Sequence, residues 1–259
     1  MKYGDLRWNQ IPGQTERVVV LPLGSMEQHG HHLPLLTDTM ICQEIVRRAE
    51  AVLGDEVLFL PMLWVGVSEH HRAFPGTVSV RQRTYVQLLS DVLESLIGGG
   101  FKRILLLNSH GGNGLPGQTA VYETQMAHRD ERDLWLVFAT WFGLAASQIA
   151  AMPELEQKKV THACELETSA ILRLRPDLVD LDAARGAVPS FESTIYSPDS
   201  SLAGRVTVIR PFDHTTETGA YGHPEVATAE KGEALLTVAV NEVVACAREI
   251  ATWTSPEPR

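Results

Sequence analysis

The chain has 259 residues and a formal net charge of −10, from 22 basic and 32 acidic side chains. Hydrophobic residues make up 44% and charged residues 21%, which is typical of a globular protein and argues against a disordered, collagenous or disulfide-rich chain. The acidic balance argues against a nucleic-acid partner or an anionic membrane surface, because both bind clustered Lys and Arg. An α/β fold of this length can form one domain, and we expect residues 1–259 to do so.

Cysteine usage and the first residues indicate a compartment. The three cysteines are widely spaced and form no CxxC pair, which fits a reducing cytoplasm. The opening "MKYGDLRWNQ" lacks the apolar core of a signal peptide, and no apolar stretch reaches membrane-spanning length. We therefore expect a cytoplasmic protein without a membrane partner.

Apolar runs and amphipathic segments alternate along the chain. The β-branched run at 17–23 predicts a strand buried on both faces, and a helix is expected from about Asp38. Further strands are predicted at 56–64, at 102–114, where the strand runs into a glycine loop, and at 134–141, with helices at 85–100, 164–174 and 227–253. Strands separated by helices predict an α/β fold with a mainly parallel central sheet. Residues 186–224, rich in Ser, Pro, Thr and Gly, are expected to form an excursion.

Metal-capable residues follow the first predicted strand. Glu27 and His29, two positions apart at the strand end, can point to one side, and Asp38 lies eleven residues later at the expected helix start. A carboxylate and an imidazole that converge suit Zn²⁺, Mn²⁺ or Fe²⁺, and an aspartate can bridge two ions. The alternative is that Asp38 caps its helix and the others are solvated, which is the commoner fate of single loop residues.

A third strand end supplies His110, in the segment "LLLNSHGGN". Gly111 and Gly112 let the backbone approach a ligand closely and present N–H groups. A glycine loop between strand and helix can also hold a phosphate, but this one lacks both the Lys-Ser/Thr of a P-loop and the GxGxxG spacing. We therefore favour a metal role for His110.

Two further segments offer polar side chains. In "THACELETS", Glu165 lies three residues after His162, so the two share a face if the segment is helical, and Glu167 follows. The alternative is an ordinary helix start with acidic residues favoured by the helix dipole. In "SEHH", which follows the second strand, Ser68 and either Glu69 or His70 could line a pocket or be solvated.

Six segments together resemble the creatininase family of metal-dependent amidohydrolases: "GSMEQHGHHLPLLTDT", "FPGTVSV", "LLNSHGGN", "HACELETS", "LRPDLVDL" and "GHPEVATAEKGE". They run in family order from about residue 20 to 235. The resemblance implies a three-layer αβα fold and a homo-oligomer, with hexamers as the family precedent. The excursion at 186–224 is expected to lie over the active site. It also implies two divalent metal ions per subunit, Zn²⁺ and/or Mn²⁺, with Fe²⁺ as a further option.

Residue roles follow from the same resemblance. It implies that Glu27 and His110 bind the first metal, that His29 binds the second, and that Asp38 bridges both. His162 matches the family's proton-handling histidine and is expected to be an acid/base catalyst. The remaining residues expected to bind substrate are Ser68, Glu69, His70, Gly111, Gly112 and Trp141.

The chain departs from the family's creatinine enzyme at several positions. That enzyme has a tyrosine where this chain has Gly111, a metal-binding glutamate where it has Gly112, and a second substrate-covering tryptophan where it has Lys158. Glu165 is the expected replacement ligand, or the proton donor if it is not a ligand, with Glu167 as the second candidate. We expect hydrolysis of a non-peptide C–N bond in a small cyclic amide or formamide; the alternatives are a mycofactocin-type precursor peptidase and a non-catalytic metal-binding relative.

Overall fold

The computed structural model describes residues 1–188 and 208–255, together with 191, 193, 195, 196 and 206. Within them, one sheet contains the strands β1 (Val18–Leu23), β2 (Val57–Phe59), β3 (Arg103–Asn108) and β4 (Trp135–Thr140). Their spatial order is β2-β1-β3-β4 and every neighbouring pair is parallel, with Val18 aligned to both Val57 and Arg103. The predicted parallel sheet is confirmed.

Helices follow the strands in the expected alternation. They are α1 (Thr37–Leu53), α2 (Gln82–Gly98), α3 (Gly114–Ala127), α4 (Trp141–Leu144), α5 (Ala146–Ala151), α6 (Glu165–Leu174) and α7 (Ala229–Thr252). Short 3₁₀ turns at Glu69–His71, Gly111–Asn113 and Phe212–His214 lie between them. No helix in these described ranges is long and apolar enough to cross a bilayer.

Side chains of β1 alternate between two cores. Val18 and Val20 pack with residues of α1, α6 and α7, whereas Val19 and Leu21 pack with residues of α2 and α3 on the opposite face. Because helices cover both faces, every residue of β1 is buried, which explains why the strand is continuously apolar. The expected three-layer αβα arrangement is confirmed.

The second strand is shorter than predicted, ending at Phe59 instead of continuing to residue 64. Pro61 has no N–H to donate to a ladder, which limits regular pairing beyond this point. The chain nevertheless stays beside β1, because Leu60 N donates to Val20 O at 2.9 Å and Leu63 N to Pro22 O at 3.0 Å. This irregular segment leads directly to the turn that carries "SEHH".

The described parts of the 186–224 excursion return to the body of the protein. Ala187 N donates to Ala220 O at 2.9 Å, and Tyr221 N donates to His162 O at 2.8 Å. The second bond joins the excursion to the segment that precedes α6. The rest of the excursion, residues 189, 190, 192, 194, 197–205 and 207, lies outside the described residues.

Candidate metal centre

The loops at the carboxyl ends of β1, β2 and β3 are tied together by one buried side chain, Asn113. Its Nδ2 donates to Gly24 O and to Asn108 Oδ1, both at 3.0 Å, and its Oδ1 accepts from Val67 N at 2.9 Å. Ligand sites of parallel sheets lie outside these strand ends. The role of Asn113 was not predicted, although the amide in "HGGN" after a strand is a signal for it.

Glu27, Asp38 and His110 converge at this edge, and all three are buried. His110 Nδ1 lies 3.1 Å from Glu27 Oε1 and 3.1 Å from Asp38 Oδ2. Glu27 comes from the loop after β1, Asp38 from the first turn of α1, and His110 from the loop after β3. One ligand atom from each lies within 4.8 Å of the other two, so a single cation could contact all three.

His29 adjoins the first group through Asp38 and belongs to a second group of possible ligands. His29 Nε2 lies 3.3 Å from Asp38 Oδ1, so the two carboxylate oxygens of Asp38 face different histidines. His29, His162 and Glu167 also bring ligand atoms within 4.8 Å of one another. The structure thus brings together Glu27, His29, Asp38 and His110, as the sequence analysis expected.

Backbone carbonyls determine which ring nitrogens of His29 and His110 face the cluster. His29 Nδ1 lies 3.2 Å from Glu27 O, and His110 Nε2 lies 3.0 Å from Val67 O. Because a carbonyl only accepts, these nitrogens carry the protons, and each ring turns its other nitrogen to the carboxylates. Asp38 Oδ2 and His29 Nε2 are buried without a hydrogen-bond partner. Acceptor atoms therefore face one another, an arrangement that calls for a cation.

The pKa values of the cluster residues also indicate that the cluster favours bound positive charge. Burial lowers the pKa of His29, but Asp38 and the other nearby carboxylates outweigh it and raise that pKa to about 9. Burial also opposes protonation of His110, yet Glu27 and Asp38 raise its pKa well above the usual value. For Glu27, burial would raise the pKa, but the charge of His110 helps to hold it well below its ordinary value. Two carboxylates and two imidazoles in this arrangement fit Zn²⁺ or Mn²⁺.

The structure corrects the expected role of Glu165. Its oxygens accept from Glu156 N at 3.2 Å and Gln157 N at 2.7 Å, and Lys231 Nζ lies 2.7 Å away. Its carboxylate is therefore fully engaged outside the cluster, and it neither joins a ligand group nor faces a proton acceptor there. Glu167, the second candidate, is the acid of α6 that reaches the cluster.

An unusual backbone conformation precedes α6. Ala163 has a φ of 50°, in the left-handed region that costs a residue with a side chain about 1–3 kcal/mol. This turn lets His162 face the cluster while Ala163 N donates to Glu167 Oε2 at 2.5 Å. Burial raises the pKa of Glu167 to about 8, against the opposing effect of His29.

His71 is a site residue that the sequence analysis overlooked in favour of its neighbours. It is buried, its Nε2 lies 3.3 Å from Glu27 Oε1, and its ring centroid lies 4.3 Å from that of His162. Phe212, from the excursion, covers both rings, with centroid distances of 4.1 and 5.0 Å. The 3₁₀ turn determines which histidine of "SEHH" points inward. The sequence pattern alone does not distinguish His71 from His70.

The expected substrate-binding residues fall in different environments. Glu69 is exposed, His70 is half-buried with its ring stacked 5.8 Å from His110, and Ser68 is buried, with its Oγ 3.2 Å from His110 Nε2. Trp141 is only 1% exposed; it packs in the core and its Nε1 donates to Ser109 Oγ at 3.0 Å. This burial leaves Trp141 no open face for a substrate.

Gly111 is exposed, whereas Gly112 is half-buried and closely surrounded. A Cβ added at Gly112 would lie 2.0 Å from Val67 O and 2.4 Å from His110 Nε2. The loop therefore has no room for the glutamate that the creatinine enzyme carries at this position. The supply of a carboxylate from α6, through Glu167, agrees with this restriction.

The layers, the parallel sheet and the carboxylate–imidazole cluster at its carboxyl edge define an α/β protein with a candidate metal centre. Residues 4–247 match the Creatininase family, described as creatinine amidohydrolase, and the chain belongs to this family. Members of the family are hydrolases, and the resemblance inferred from the six motifs is confirmed.

Similar proteins cover almost the whole chain. The mycofactocin precursor peptide peptidase of Mycobacterium tuberculosis is 30% identical over 263 residues, which is 98% of this chain and 92% of that protein. The creatinine amidohydrolase of Pseudomonas putida is 27% identical over 273 residues, covering 95% of each. A solved creatininase superposes with a TM-score of 0.76 at 25% identity, covering 98% of both chains. Solved creatininases of a Zn-Zn type and an Mn form match at 25% identity, with TM-scores of 0.76 and 0.74, covering 96% of this chain and 97% of theirs.

Proposed function

We propose that this protein is a metal-dependent hydrolase that cleaves a carbon–nitrogen bond other than a peptide bond, in a cyclic amide or a formamide. One observation carries the metal dependence: Asp38 Oδ2 and His29 Nε2 are buried acceptors without a donor, beside the buried carboxylate of Glu27. Such an arrangement is costly unless a cation binds between the groups. Family membership and the zinc and manganese forms of solved creatininases support the same reading.

We infer two ion positions. Glu27, Asp38 and His110 would hold the first ion, and His29, Asp38 and Glu167 the second. Asp38 would bridge them, since its two oxygens face different histidines at 3.3 and 3.1 Å. Carboxylate and imidazole ligands suit Zn²⁺ and Mn²⁺, and Fe²⁺ is also compatible with them.

Divalent cations held in this way supply Lewis acidity, which lowers the pKa of water and polarises a carbonyl. His162 would move protons, and this role is supported by its Nδ1, which faces the cluster 3.6 Å from Glu27 Oε1. Burial holds the pKa of His162 well below its usual value, so the ring is neutral. Its unprotonated nitrogen would accept a proton from the attacking water. It can then return that proton to the amide nitrogen, which is otherwise a poor leaving group.

Enclosure of the site favours a small substrate. Phe212 is 7% exposed and covers His71 and His162, which are 1% and 7% exposed. Creatinine itself is disfavoured, because Trp141 is in the core and Lys158 occupies the second tryptophan position with its Nζ bonded to backbone carbonyls at 2.6 Å. A cyclic amide or formamide that needs no aromatic pair fits these residues better.

A second candidate function is hydrolysis of a peptide. It is favoured by the 30% identity to the mycofactocin precursor peptide peptidase over 98% of this chain. In that case the excursion around Phe212 would border a groove for a chain terminus. The two candidates share the metal centre and differ only in the substrate.

The test combines metal analysis with a substrate panel. The purified protein is stripped with chelator, reloaded with Zn²⁺ or Mn²⁺, and assayed against cyclic amides, formamides, creatinine and short peptides. We expect about two metal ions per chain and turnover of a cyclic amide or formamide that is lost on stripping and regained on reloading. Turnover of peptides alone would support the second candidate, and one retained ion with no turnover would support a non-catalytic relative.

A further inference from the structure

Gln28, between the ligands Glu27 and His29, directs its side-chain amide at two histidines. Its orientation is fixed by the backbone: Oε1 accepts from Gly30 N at 2.9 Å, and Nε2 donates to Gly219 O at 2.9 Å. An amide turned the other way would set oxygen against carbonyl oxygen and nitrogen against N–H. The position of the NH₂ group is therefore determined independently of the histidines.

This NH₂ group lies 2.8 Å from His71 Nδ1. An amide nitrogen only donates, so His71 Nδ1 is the acceptor and the proton of the neutral ring sits on Nε2. His71 Nε2 in turn lies 3.3 Å from Glu27 Oε1. His71 thus presents an N–H, and not a lone pair, to the carboxylate of the cluster.

The tautomer of His162 follows from a hydrogen-bond count. Its Nε2 lies 2.8 Å from Gln28 O and 3.0 Å from Gln28 Nε2. If Nε2 carries the proton, three bonds form: His162 to Gln28 O, and the amide to both His71 and Gly219. If Nε2 accepts from the amide, only two form and Gln28 O faces a lone pair. The first arrangement is favoured because it forms one more hydrogen bond. His162 therefore turns an unprotonated Nδ1 to the cluster.

We propose that Gln28 is a positioning residue that sorts two adjacent histidines into opposite roles: His71 a hydrogen-bond donor to Glu27, and His162 an acceptor facing the cluster. The tautomers themselves can be observed without turnover. Only their role in catalysis rests on the proposed function. It also separates His71 from the metal ligands, although Glu27, His71 and His162 are close enough to hold an ion.

The excursion takes part in this arrangement through Gly219. The amide of Gln28 needs the Gly219 carbonyl, and a Cβ at Gly219 would lie 2.0 Å from Gln28 Oε1. Gly219 also has a φ of 85°, where residues with side chains are strained. Contact between the excursion and Gln28 therefore helps to set the state of both histidines.

The experiment is solid-state NMR of the full-length protein labelled with ¹⁵N-histidine, with and without Zn²⁺ at neutral pH. Protonated and unprotonated ring nitrogens have distinct ¹⁵N shifts, and the two rings are identified by difference from His71→Gln and His162→Gln. We expect both rings to carry the proton on Nε2, and His71 to keep that proton when Zn²⁺ binds. A wild-type His71 protonated on Nδ1, or one that loses its Nε2 proton to Zn²⁺, would overturn the proposal.

Two variants with side chains of similar length to glutamine test whether Gln28 sets the tautomer of His71. In Gln28→Glu the donor becomes an acceptor, so the preferred site of the His71 proton should reverse to Nδ1; in Gln28→Met the preference should weaken without reversal. Spectra of His71 identical to wild type in both variants would contradict the role of Gln28. Turnover on the substrate panel is measured separately on the wild type, so a failed tautomer assignment and a failed function remain distinct results.

Discussion

Two regions meet at the start of α6, and each buries a glutamate. Around Glu165, Lys231 and two backbone N–H groups meet the carboxylate, so the charge is balanced within the protein. Two residues later, Glu167 faces a cluster in which the oxygens of Asp38 lie 3.3 and 3.1 Å from ring nitrogens of His29 and His110, with buried atoms left unpaired. The first region stabilises the fold and the second has a deficit of positive charge.

This difference shows what separates a structural acid from a ligand. Both glutamates are buried, at 0% and 4% exposure, so burial alone does not distinguish them. The distinction lies in whether the protein supplies the positive partner, because an unbalanced buried carboxylate is stable only with a bound cation or a bound proton. Substitutions in the two regions should therefore have opposite effects on metal content and stability.

The largest effect is expected for Asp38→Ala. Each oxygen of Asp38 faces a different candidate ligand histidine, so its removal should release both ions. Turnover should fall by more than about 100-fold, a larger loss than is usual when a residue that only hydrogen-bonds to a metal ligand is changed. Elemental analysis and the substrate assay measure the two losses. Asp91→Ala, at an exposed position of α2, is the control. Full metal content in Asp38→Ala would refute the bridging role.

A paired substitution in α6 tests the comparison directly. Glu167→Gln should lower the metal content toward one ion per chain and leave the melting temperature of the metal-free protein unchanged or higher. Glu165→Gln should keep the metal but lower the free energy of unfolding by about 2–3 kcal/mol, because Lys231 loses its buried partner. Denaturant unfolding and elemental analysis are done on both variants. The opposite pattern would return Glu165 to the ligand set.

A smaller effect is expected from pH on the metal-free protein. The pKa of His29 rises from 6.5 to about 9 on folding, so its protonated form contributes stability that is present below pH 6.5 and lost as the pH rises toward 9. Glu167, raised from 4.5 to about 8, acts in the same direction because its buried charge is unfavourable. The melting temperature should fall by several degrees between pH 6 and 9.

Zinc should remove most of this pH dependence, since the ion replaces the protons as the source of positive charge. Thermal melts with saturating Zn²⁺ provide the comparison. A metal-free protein with constant stability over this range would show that the cluster lacks the charge deficit inferred for it.

Local patterns were sufficient for the architecture and for grouping four candidate metal ligands. The continuous apolar run of β1 requires cover on both faces, and the carboxyl ends of parallel strands meet at one edge, so Glu27, His29 and His110 could be grouped in advance. Asp38 joined them because a short loop returns the chain to the same edge. The early end of β2 was missed, although Pro61 gave a signal for it.

Only the tertiary structure decided between neighbours that the sequence presents as equivalent. Glu165 and Glu167, or His70 and His71, differ by a rotation about one short helix, and that rotation is set by partners far along the chain, such as Lys231 and Phe212. Strand periodicity and motif spacing specify which residues reach the sheet edge, because they depend on adjacent residues. Which side chain faces inward, and with which atom, depends on contacts between distant segments, so it emerges only after the layers have packed.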